Sequence, residues 1–453
     1  MAKLSEARRV ALAVLSERRR RNGRVRDLLR TSDAMAALDA RDRSLASRLA
    51  LGTVSAQGVL DEVLAAYVRR PSSLEPRVRD ALRLASFEAL YLETPDSVVV
   101  SQGVELVRSV VPRASGMANA VLRKVVSQER PKVKEAREAV SSGTSTLADL
   151  TLVSGLPAWL LQHIVETRGL QVACQMALAQ LEPAPVYVAS NRAKLSDEDA
   201  ERLLEEAGLS PQPTMLPGSW VLETPAGLAT AGLVQDTRVV VSDLAAQQVA
   251  NMTAPSNGER LLEIGQGRGT KTILLENAAQ LAGGFAYIAA VDSEAFKVRV
   301  ATHRMESAGL SAHVSCHVLD ARTLGGQKLP KSLEGPFDLV FIDAPCSGTG
   351  TMRRHPEIPW SLSPDALTGE GSLSELQLQI LTAAATRVAA GGRLAYATCS
   401  VLPEENEQVI EAFLATDSGA RFARSEMLQT IPQIGSCDGH FCCVLRCATY
   451  PER

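Results

Sequence analysis

The sequence predicts a multidomain protein in which an all-α domain is followed by a small α+β domain and then by an α/β domain with a doubly wound parallel sheet. Three observations support this fold class. Apolar residues recur at helical spacing through residues 1–130. Strands and helices alternate after about residue 240. The 453 residues suffice for two or three domains of roughly 100–200 residues each. We place the domains at 1–130, 151–237 and 238–453, with a linker at 131–150.

The first domain is predicted to be helical because its apolar residues lie three or four positions apart. Segments with this spacing are 7–15, 45–51, 59–68, 99–111 and 114–126. Turns rich in Pro, Ser and Asp interrupt them at 71–73 and 93–96.

Positive charge is concentrated in this first domain. Residues 1–130 contain 23 Lys and Arg against 15 Asp and Glu, although the net charge of the whole chain is −3. Four arginines are consecutive: Arg18, Arg19, Arg20 and Arg21. Such a cluster is typical of a surface that contacts phosphates. It is also typical of a solvated helix face, and charge alone does not decide between the two.

The middle domain is predicted to combine helices with short strands. Helices are expected at 159–167, 170–181 and 198–207, and strands at 186–190 and 220–222. No catalytic motif is found in this segment.

The C-terminal domain has the alternating pattern of a parallel sheet. Strands are expected at 260–264, 286–291, 314–319, 338–342 and 393–397, and helices at 270–281, 295–308, 373–389 and 404–414. Ligands of such sheets bind beyond the carboxyl ends of the strands. The residues considered next all follow such an end.

A glycine-rich turn follows the first of these strands. Its pattern, Glu263-x-Gly265-x-Gly267-x-Gly269, allows a tight turn and a close approach of the backbone to a ligand. A phosphate loop is excluded because no Gly-Lys-Ser/Thr follows at the required spacing. We predict contacts to a cofactor from Glu263, Gly265, Gln266, Gly267, Arg268, Gly269, Thr270 and Lys271.

Three carboxylates indicate which cofactor this is. Asp292, Asp320 and Asp343 follow the second, third and fourth strands. An acid about 20 residues after the turn suits the ribose of NAD or of S-adenosylmethionine. Three such acids resemble a class I methyltransferase more than a dehydrogenase, so we predict S-adenosylmethionine, with Asp320 at the adenine amino group. Each aspartate alone could instead be a helix N-cap.

Two cysteines, Cys346 and Cys399, also follow predicted strands. Thiols at polar sheet ends can be reactive, whereas structural cysteines are usually buried and inert. A covalent thiol adduct is useful when the atom to be modified is a poor nucleophile, and carbon 5 of a pyrimidine is such an atom. A thiolate that adds at carbon 6 makes carbon 5 nucleophilic.

The C-terminal cysteines raise the question of a zinc site. Cys437, Cys442, Cys443 and Cys447 are close in sequence, but their spacing is not a standard zinc pattern. We interpret 441–446 as a strand whose thiols alternate between its two faces, and we predict no metal site.

Longer motifs identify a family. Asp343-Ala-Pro-Cys-Ser-Gly-Thr-Gly350, Arg353-Arg-His-Pro-Glu357 and Tyr396-Ala-Thr-Cys-Ser-Val-Leu-Pro-Glu-Glu-Asn406 resemble the RNA cytosine-5 methyltransferases. Within that family the chain is most similar to the bacterial 16S ribosomal RNA enzymes of the Sun (RsmB) type, which carry an N-terminal helical domain like NusB. The segment from Ala114 to Lys124 resembles a characteristic helix of that domain. The resemblance covers nearly the whole chain.

The resemblance implies roles for several residues. Cys399 is expected to be the nucleophile, Cys346 to assist release of the methylated base, and Asp343 to bind the cytosine edge. Lys271 matches the lysine of the family's cofactor motif. Arg353, Arg354 and His355 are expected to bind phosphates around a cytosine extruded from its stack. Separately, the charge cluster Arg18, Arg19, Arg20 and Arg21 makes these residues candidates for RNA binding.

The expected partner is 16S ribosomal RNA or a small-subunit assembly intermediate, and the protein is expected to be a cytoplasmic monomer. No uninterrupted apolar run reaches the roughly 18 residues of a membrane span, and the first residues lack the apolar middle of a signal peptide.

One segment departs from the family. The sequence Gly265-Gln-Gly-Arg-Gly-Thr-Lys271 replaces a family turn that reads approximately Cys-Ala-Ala-Pro-Gly-Gly-Lys. Arg268 takes the place of the proline and is expected to point outward, toward RNA phosphate. The departure leaves an alternative, an RNA-binding ribosome-assembly or antitermination factor with a degenerate methyltransferase domain. Methylation of a base amino group is disfavoured, because it needs no thiol and typically uses an Asp/Asn-Pro-Pro-aromatic motif.

Overall fold

The computed structural model of the chain describes residues 3–21, 23–326 and 329–449. They form two compact units. The helical unit comprises Met1–Ala184, Met352–Leu362 and Pro432–Gly435, and the α/β unit comprises Pro185–Thr351, Ser363–Ile431 and Ser436–Arg453. The sequence predicts domain boundaries at 130, 150 and 237. These positions do not coincide with the limits of the two compact units, and the predicted boundaries stay a prediction.

Twelve helices account for most of the first segment of the helical unit. They are α1 Glu6–Arg21, α2 Val25–Arg30, α3 Asp33–Ala36, α4 Ala40–Ser55, α5 Gln57–Tyr67, α6 Pro76–Tyr91, α7 Asp96–Val110, α8 Ser115–Lys124, α9 Arg130–Ser142, α10 Leu147–Ser154, α11 Ala158–Arg168 and α12 Leu170–Gln180. A π-helical turn at Val125–Glu129 joins α8 to α9. The predicted all-α character of residues 1–130 is confirmed.

Helix α6 is at the centre of this unit. Almost every residue from Ala81 to Leu90 is buried. Phe87 packs so closely against α4 that a Cβ atom added at Gly52 would lie 1.9 Å from its ring. A glycine is therefore needed where the two helices cross.

The segment Met352–Leu362 packs with these helices although it follows β8 in sequence. Glu357 accepts a hydrogen bond at 2.6 Å from the backbone N–H of Val25. The ring of Trp360 fills the space beside Gly58, where an added Cβ atom would lie 2.5 Å away.

The α/β unit begins with a small antiparallel sheet. Its strands are β1 Val186–Ser190, β2 Pro211–Pro213, β3 Ser219–Leu222 and β4 Val239–Val241, in the order β2-β3-β1-β4. Helix α13, Asp197–Glu206, contributes Ala200 and Leu204 to a core shared with Val188 and Trp220.

A seven-stranded sheet forms the rest of the unit. Its strands are β5 Arg260–Ile264, β6 Tyr287–Asp292, β7 Val314–Val318, β8 Phe337–Asp343, β9 Val388–Thr398, β10 Phe422–Gln429 and β11 Phe441–Cys447, in the order β10-β11-β9-β8-β5-β6-β7. The helices are α14 Leu244–Met252, α15 Thr270–Leu281, α16 Ala295–Ala308, α18 Leu373–Ala385 and α19 Glu407–Leu414, whereas α17, Ile358–Ser361, belongs to the helical unit.

Five neighbouring strands of this sheet, β9, β8, β5, β6 and β7, are parallel, and β10 and β11 are antiparallel to their neighbours. From β5 the chain adds β6 and β7 on one side, and it then adds β8 and β9 on the other side, so the strand order reverses between β5 and β8. A ligand site is expected beyond the carboxyl ends of these two strands. The predicted doubly wound α/β fold is confirmed.

The late cysteines lie where the sequence placed them. Cys442 packs into the core on one face of the sheet, and Cys443 and Cys447 pack into the core on the other. Within the described residues, no group of three or more His, Cys, Asp or Glu side chains is arranged to hold a metal ion.

Judged by length and apolarity, no single helix in the described parts of the chain could cross a membrane. Helices α4 and α5 meet that criterion only as a pair, and they are bent by 79°.

Candidate active site

The glycine turn between β5 and α15 is held in a conformation that side chains would disturb. Gly265, Gly267 and Gly269 all have positive φ angles, of 81°, 59° and 78°. A Cβ atom at Gly265 would lie 2.2 Å from the carbonyl oxygen of Asp343. The turn therefore presents bare backbone at the point where the strand order reverses, as a nucleotide-like cofactor requires.

The acids beyond β6 and β7 have local hydrogen bonds. Asp292 accepts from the backbone N–H of Gly267 at 3.0 Å and of Glu294 at 2.9 Å, so it links the end of β6 to the glycine turn. Asp320 pairs with Arg322 at 2.6 Å, and this partner lowers the pKa of Asp320. Asp320 also accepts from the backbone N–H of Arg322 and caps the short helical turn Ala321–Gly325, as the N-cap interpretation expected. Asp292 caps none of the described helices, and the cofactor roles of both aspartates stay predictions.

Beneath the turn is a buried polar cluster. Glu263 is fully buried and accepts a hydrogen bond from Thr272 at 2.6 Å. Burial, with a smaller contribution from Asp343, raises the pKa of Glu263 to about 8. Its Oε1 atom and the Oε1 atom of Gln266 have no hydrogen-bond partner among the described residues. Unsatisfied buried acceptors beside a bare backbone turn fit a ligand that brings hydrogen-bond donors.

Lys271 and Asp343 form an ion pair at the end of β8. The Nζ atom of Lys271 is 2.6 Å from the Oδ2 atom of Asp343. Burial alone would lower the pKa of Lys271, but the charge of Asp343 and its hydrogen bond outweigh burial and raise it. Lys271 is therefore a fixed cation beside the residues that follow β8 and β9.

The thiols of Cys346 and Cys399 are adjacent, with their Sγ atoms 3.3 Å apart. The hydrogen bond from Cys346 lowers the pKa of Cys399, and Lys271 adds to this effect against burial and Asp343. The hydrogen bond to Cys399, together with burial, raises the pKa of Cys346 well above its ordinary value. Cys399 therefore ionises first, and the thiolate is the nucleophilic form.

The turn that carries Cys346 is held by a residue to which the sequence assigned no role. Glu405 is fully buried and accepts from both the backbone N–H and the hydroxyl group of Ser347. Gln377 donates to Glu405 at 3.1 Å and to the carbonyl of Pro345 at 2.8 Å. Glu405 lies in the longest motif of the family resemblance, so a sequence signal existed, but only the fold reveals its partner.

A second network fixes the turn that carries Cys399. Ser400 and Thr349 are joined through their hydroxyl oxygens at 3.0 Å. Asn406 is also fully buried, accepts from Thr398 at 2.5 Å and donates to the carbonyl of Ser400 at 3.0 Å. The backbone N–H of Gly350 donates to the carbonyl of Cys399 at 2.9 Å. These bonds fix the distance between the two thiols.

The predicted RNA-binding residues lie in the helical unit. Arg353 is largely buried and donates to the carbonyl of Gln433 at 2.9 Å, and the carbonyl of Arg354 accepts from Arg26. His355 belongs to the same segment. Arg353 thus has a structural contact, and an RNA contact by these residues stays a prediction.

The arginine run ends α1, and most of it is paired. Arg19 binds Asp80, and Arg20 and Arg21 both bind Glu17. Arg18 is half-buried and its Nε atom has no hydrogen-bond partner among the described residues. Arg268, in contrast, is exposed in the glycine turn, as its expected outward direction requires.

Replacing Lys271 by methionine should raise the pKa of the Cys399 thiol, because a cation that favours the thiolate is removed while the charge of Asp343 remains. Less thiolate is then present at neutral pH, so alkylation of Cys399 by iodoacetamide should slow at neutral pH and recover at higher pH. The measurement is the pH profile of alkylation at Cys399, followed by peptide mass spectrometry without added cofactor.

Lys271→Arg is the matched control, since it keeps the positive charge, and its profile should stay near that of the unmodified protein. An unchanged profile in Lys271→Met would show that the lysine does not act on the thiol.

Two family models match the chain. Residues 250–446 match the model described as 16S rRNA methyltransferase RsmB/F, and residues 5–127 match the NusB family. The first match includes the glycine turn, all three aspartates and both thiols, and the second includes helices α1 to α8.

Curated relatives match over most of their length. The chain is 30% identical over 412 residues to ribosomal RNA small subunit methyltransferase B of Citrobacter koseri, covering 88% of this chain and 90% of the relative. The protein of the same name from Escherichia coli O6:K15:H31 matches to the same extent.

Solved structures share the fold. The crystal structure of PH0851 superposes with a TM-score of 0.75 at 22% identity, covering 98% of this chain and 99% of that one. A methyltransferase homolog protein from Pyrococcus horikoshii superposes with a TM-score of 0.56 at 20% identity, covering 66% of this chain and 98% of that one. The predicted NusB-like domain, the methyltransferase activity on RNA and the cofactor S-adenosylmethionine are confirmed by the family matches.

Proposed function

The chain belongs to the ribosomal RNA small subunit methyltransferase B family, and on this basis we propose that it methylates carbon 5 of a cytosine in 16S ribosomal RNA through a covalent adduct with Cys399. The observation that carries the proposal is the thiol pair, in which one sulfur is acidified and its neighbour stays protonated at a distance of 3.3 Å. Methylation of a base amino group would need neither thiol.

Cys399 begins the reaction. Its thiolate adds to carbon 6 of the cytosine, and the electron pair of the carbon 5–carbon 6 double bond moves toward carbon 5 and the ring. Ring nitrogen 3 takes up a proton from solvent as this bond forms. Asp343, held by Lys271, binds the polar edge of the base and stabilises the protonated adduct. The adduct thereby gains a nucleophilic carbon 5.

The methyl group that carbon 5 accepts is supplied by the sulfonium of S-adenosylmethionine when this cofactor is bound. The residues that would hold the cofactor are those of the glycine turn from Gly265 to Lys271, together with Glu263, Asp292 and Asp320. Their backbone conformation and unsatisfied buried acceptors support this assignment.

Cys346 assists release of the product. While Cys399 is a free thiolate, it is the largest cause of the raised pKa of Cys346. Once Cys399 is bonded to carbon 6, that cause is removed, so Cys346 can lose its own proton to solvent. Its thiolate can then accept the proton from carbon 5. The carbon–hydrogen electron pair then restores the double bond and expels Cys399 as a thiolate.

We also assign RNA binding to the NusB-like helical domain and to the small α+β sheet region, in a protein that acts as a monomer on 16S ribosomal RNA or on an assembling small subunit. The excess of positive charge in residues 1–130 supports an RNA contact by the first of these.

Bisulfite sequencing of 16S ribosomal RNA tests the proposed product, because 5-methylcytosine resists deamination. A strain that lacks the gene should lose one protected cytosine, the intact gene should restore it, and the Cys399→Ala gene should not. If no protected cytosine depends on the gene, cytosine-5 specificity is wrong, and the alternative of an RNA-binding assembly factor is favoured.

A further inference from the structure

A second concave site lies at the edge of the large sheet opposite the thiols. The first residues of β5, β6 and β8, which are Arg260, Tyr287 and Phe337, line a cavity of about 440 Å³. Because these strands are parallel, their first residues share one edge, and Cys346 and Cys399 follow the other. The volume is within the roughly 300–1,000 Å³ of small-molecule pockets. The mechanism above uses none of its lining residues.

Three aromatic rings pack together at this cavity. Phe285 stacks on His313 with ring centroids 4.0 Å apart and ring planes at 19°. Tyr287 meets both rings edge-on, at 5.2 Å from Phe285 and 6.0 Å from His313. Tyr287 is 50% exposed. A chain with only 4% aromatic residues therefore keeps an exposed ring beside a stacked pair.

Polar groups surround these rings. Ser311, Ser315 and Ser332 line the same cavity. The Nδ1 atom of His313 is buried and has no hydrogen-bond partner within the described residues. The guanidinium group of Arg260 lies 5.0 Å from the ring of Phe337 and donates to two backbone carbonyls, so its positive charge is fixed at the cavity.

We propose that this aromatic cavity, defined by Tyr287, His313, Arg260 and the three serines, binds an unstacked nucleobase of the RNA substrate. Aromatic faces stack on any base, hydroxyl groups pair with its polar edge, and a fixed cation attracts the phosphate backbone. The exposed ring of Tyr287, the serine hydroxyl groups and the charge of Arg260 together match the base and the phosphate of a nucleotide.

The base held there is not the methylated cytosine. Strands of five to seven residues at about 3.3 Å per residue separate the two edges of the sheet by on the order of 20 Å. The cavity therefore positions a nucleotide several places away from the target. This inference rests on the proposed function only in taking the methylated RNA as the occupant.

Binding of a fluorescein-labelled single-stranded oligonucleotide, with the sequence around the methylated cytosine, tests the cavity. Tyr287→Leu should weaken binding about 5-fold or more, because stacking contributes roughly 1–3 kcal/mol per base. Tyr287→Phe keeps the ring and should bind within about twofold of the unmodified protein. In turnover, Tyr287→Leu should raise KM and leave kcat unchanged.

Oligonucleotides with one abasic position locate the occupant. At the nucleotide that fills the cavity, an abasic site should weaken binding to the unmodified protein and have no further effect on Tyr287→Leu. All binding is measured in the Cys399→Ala background, so a failure of the covalent chemistry leaves this result unaffected. Equal affinity of Tyr287→Leu and Tyr287→Phe for the oligonucleotide would overturn the proposal.

Discussion

Replacing Cys399 by alanine should abolish methyl transfer, with a loss of more than about 10³-fold. Without the sulfur no bond forms at carbon 6, and carbon 5 stays too poor a nucleophile to accept a methyl group. Cys399→Ser should be nearly as inactive, because a hydroxyl group lacks the thiol's acidity and the hydrogen bond from Cys346 cannot supply it. The measurement is transfer of a tritiated methyl group to 16S ribosomal RNA.

Two controls show whether the loss of methyl transfer comes from the missing sulfur or from misfolding. Cys437→Ala removes another half-buried thiol of the α/β unit and should keep full activity. Thermal unfolding of Cys399→Ala should stay close to that of the unmodified protein, because the turn is also held by Ser400 and Asn406. Activity that survives in a folded Cys399→Ala protein would exclude the covalent mechanism.

Local patterns predicted most of the sheet and its helices. Strand β5 and helices α15 and α16 have the bounds expected from the sequence, because each has one apolar pattern and a clear glycine or acid at its end. Helix α6 falls in the region predicted to be helical, between the turns at 71–73 and 93–96, but the sequence indicated no bounds for it, for the opposite reason. It is buried on nearly all sides, so it lacks the polar face that makes a helix recognisable.

Three strands were missed, β2, β4 and β10, and each lies at an edge of its sheet. Pro211 and Pro213 argue against a strand, yet β2 is an edge strand, where proline is tolerated. Strand β10 is also at an edge, and most of its residues are exposed, so it has no apolar signal of its own. It forms because β11 offers it a full row of backbone partners.

The sequence could predict those site residues that directly follow a strand of the parallel sheet. Cys346, Cys399 and the three aspartates could be placed because parallel strands bring their carboxyl ends to one edge. The support of the site was not predictable in this way. Glu405 binds Ser347, 58 residues away, and this pairing depends on the neighbouring positions of β8 and β9.

The second large effect is expected from replacing Cys346, which we propose acts after Cys399 in the reaction. Replacing Cys346 by alanine should leave the first step possible, because Cys399 and its neighbour Lys271 remain. Loss of the Cys346 hydrogen bond should raise the pKa of Cys399, so adduct formation should shift to higher pH. Release should suffer more, because the residue that we propose helps to remove the carbon 5 proton is absent.

A covalent protein–RNA adduct should therefore accumulate in Cys346→Ala when it is incubated with 16S ribosomal RNA and S-adenosylmethionine. It should appear as a slowly migrating band on a denaturing gel that ribonuclease treatment reduces to the size of the protein. The double variant Cys346→Ala/Cys399→Ala should give no band, because the sulfur that forms the bond is gone. Normal turnover by Cys346→Ala without any adduct would assign release to another base. An adduct that requires Cys399 and persists only without Cys346 would separate attack from release at two sulfur atoms 3.3 Å apart.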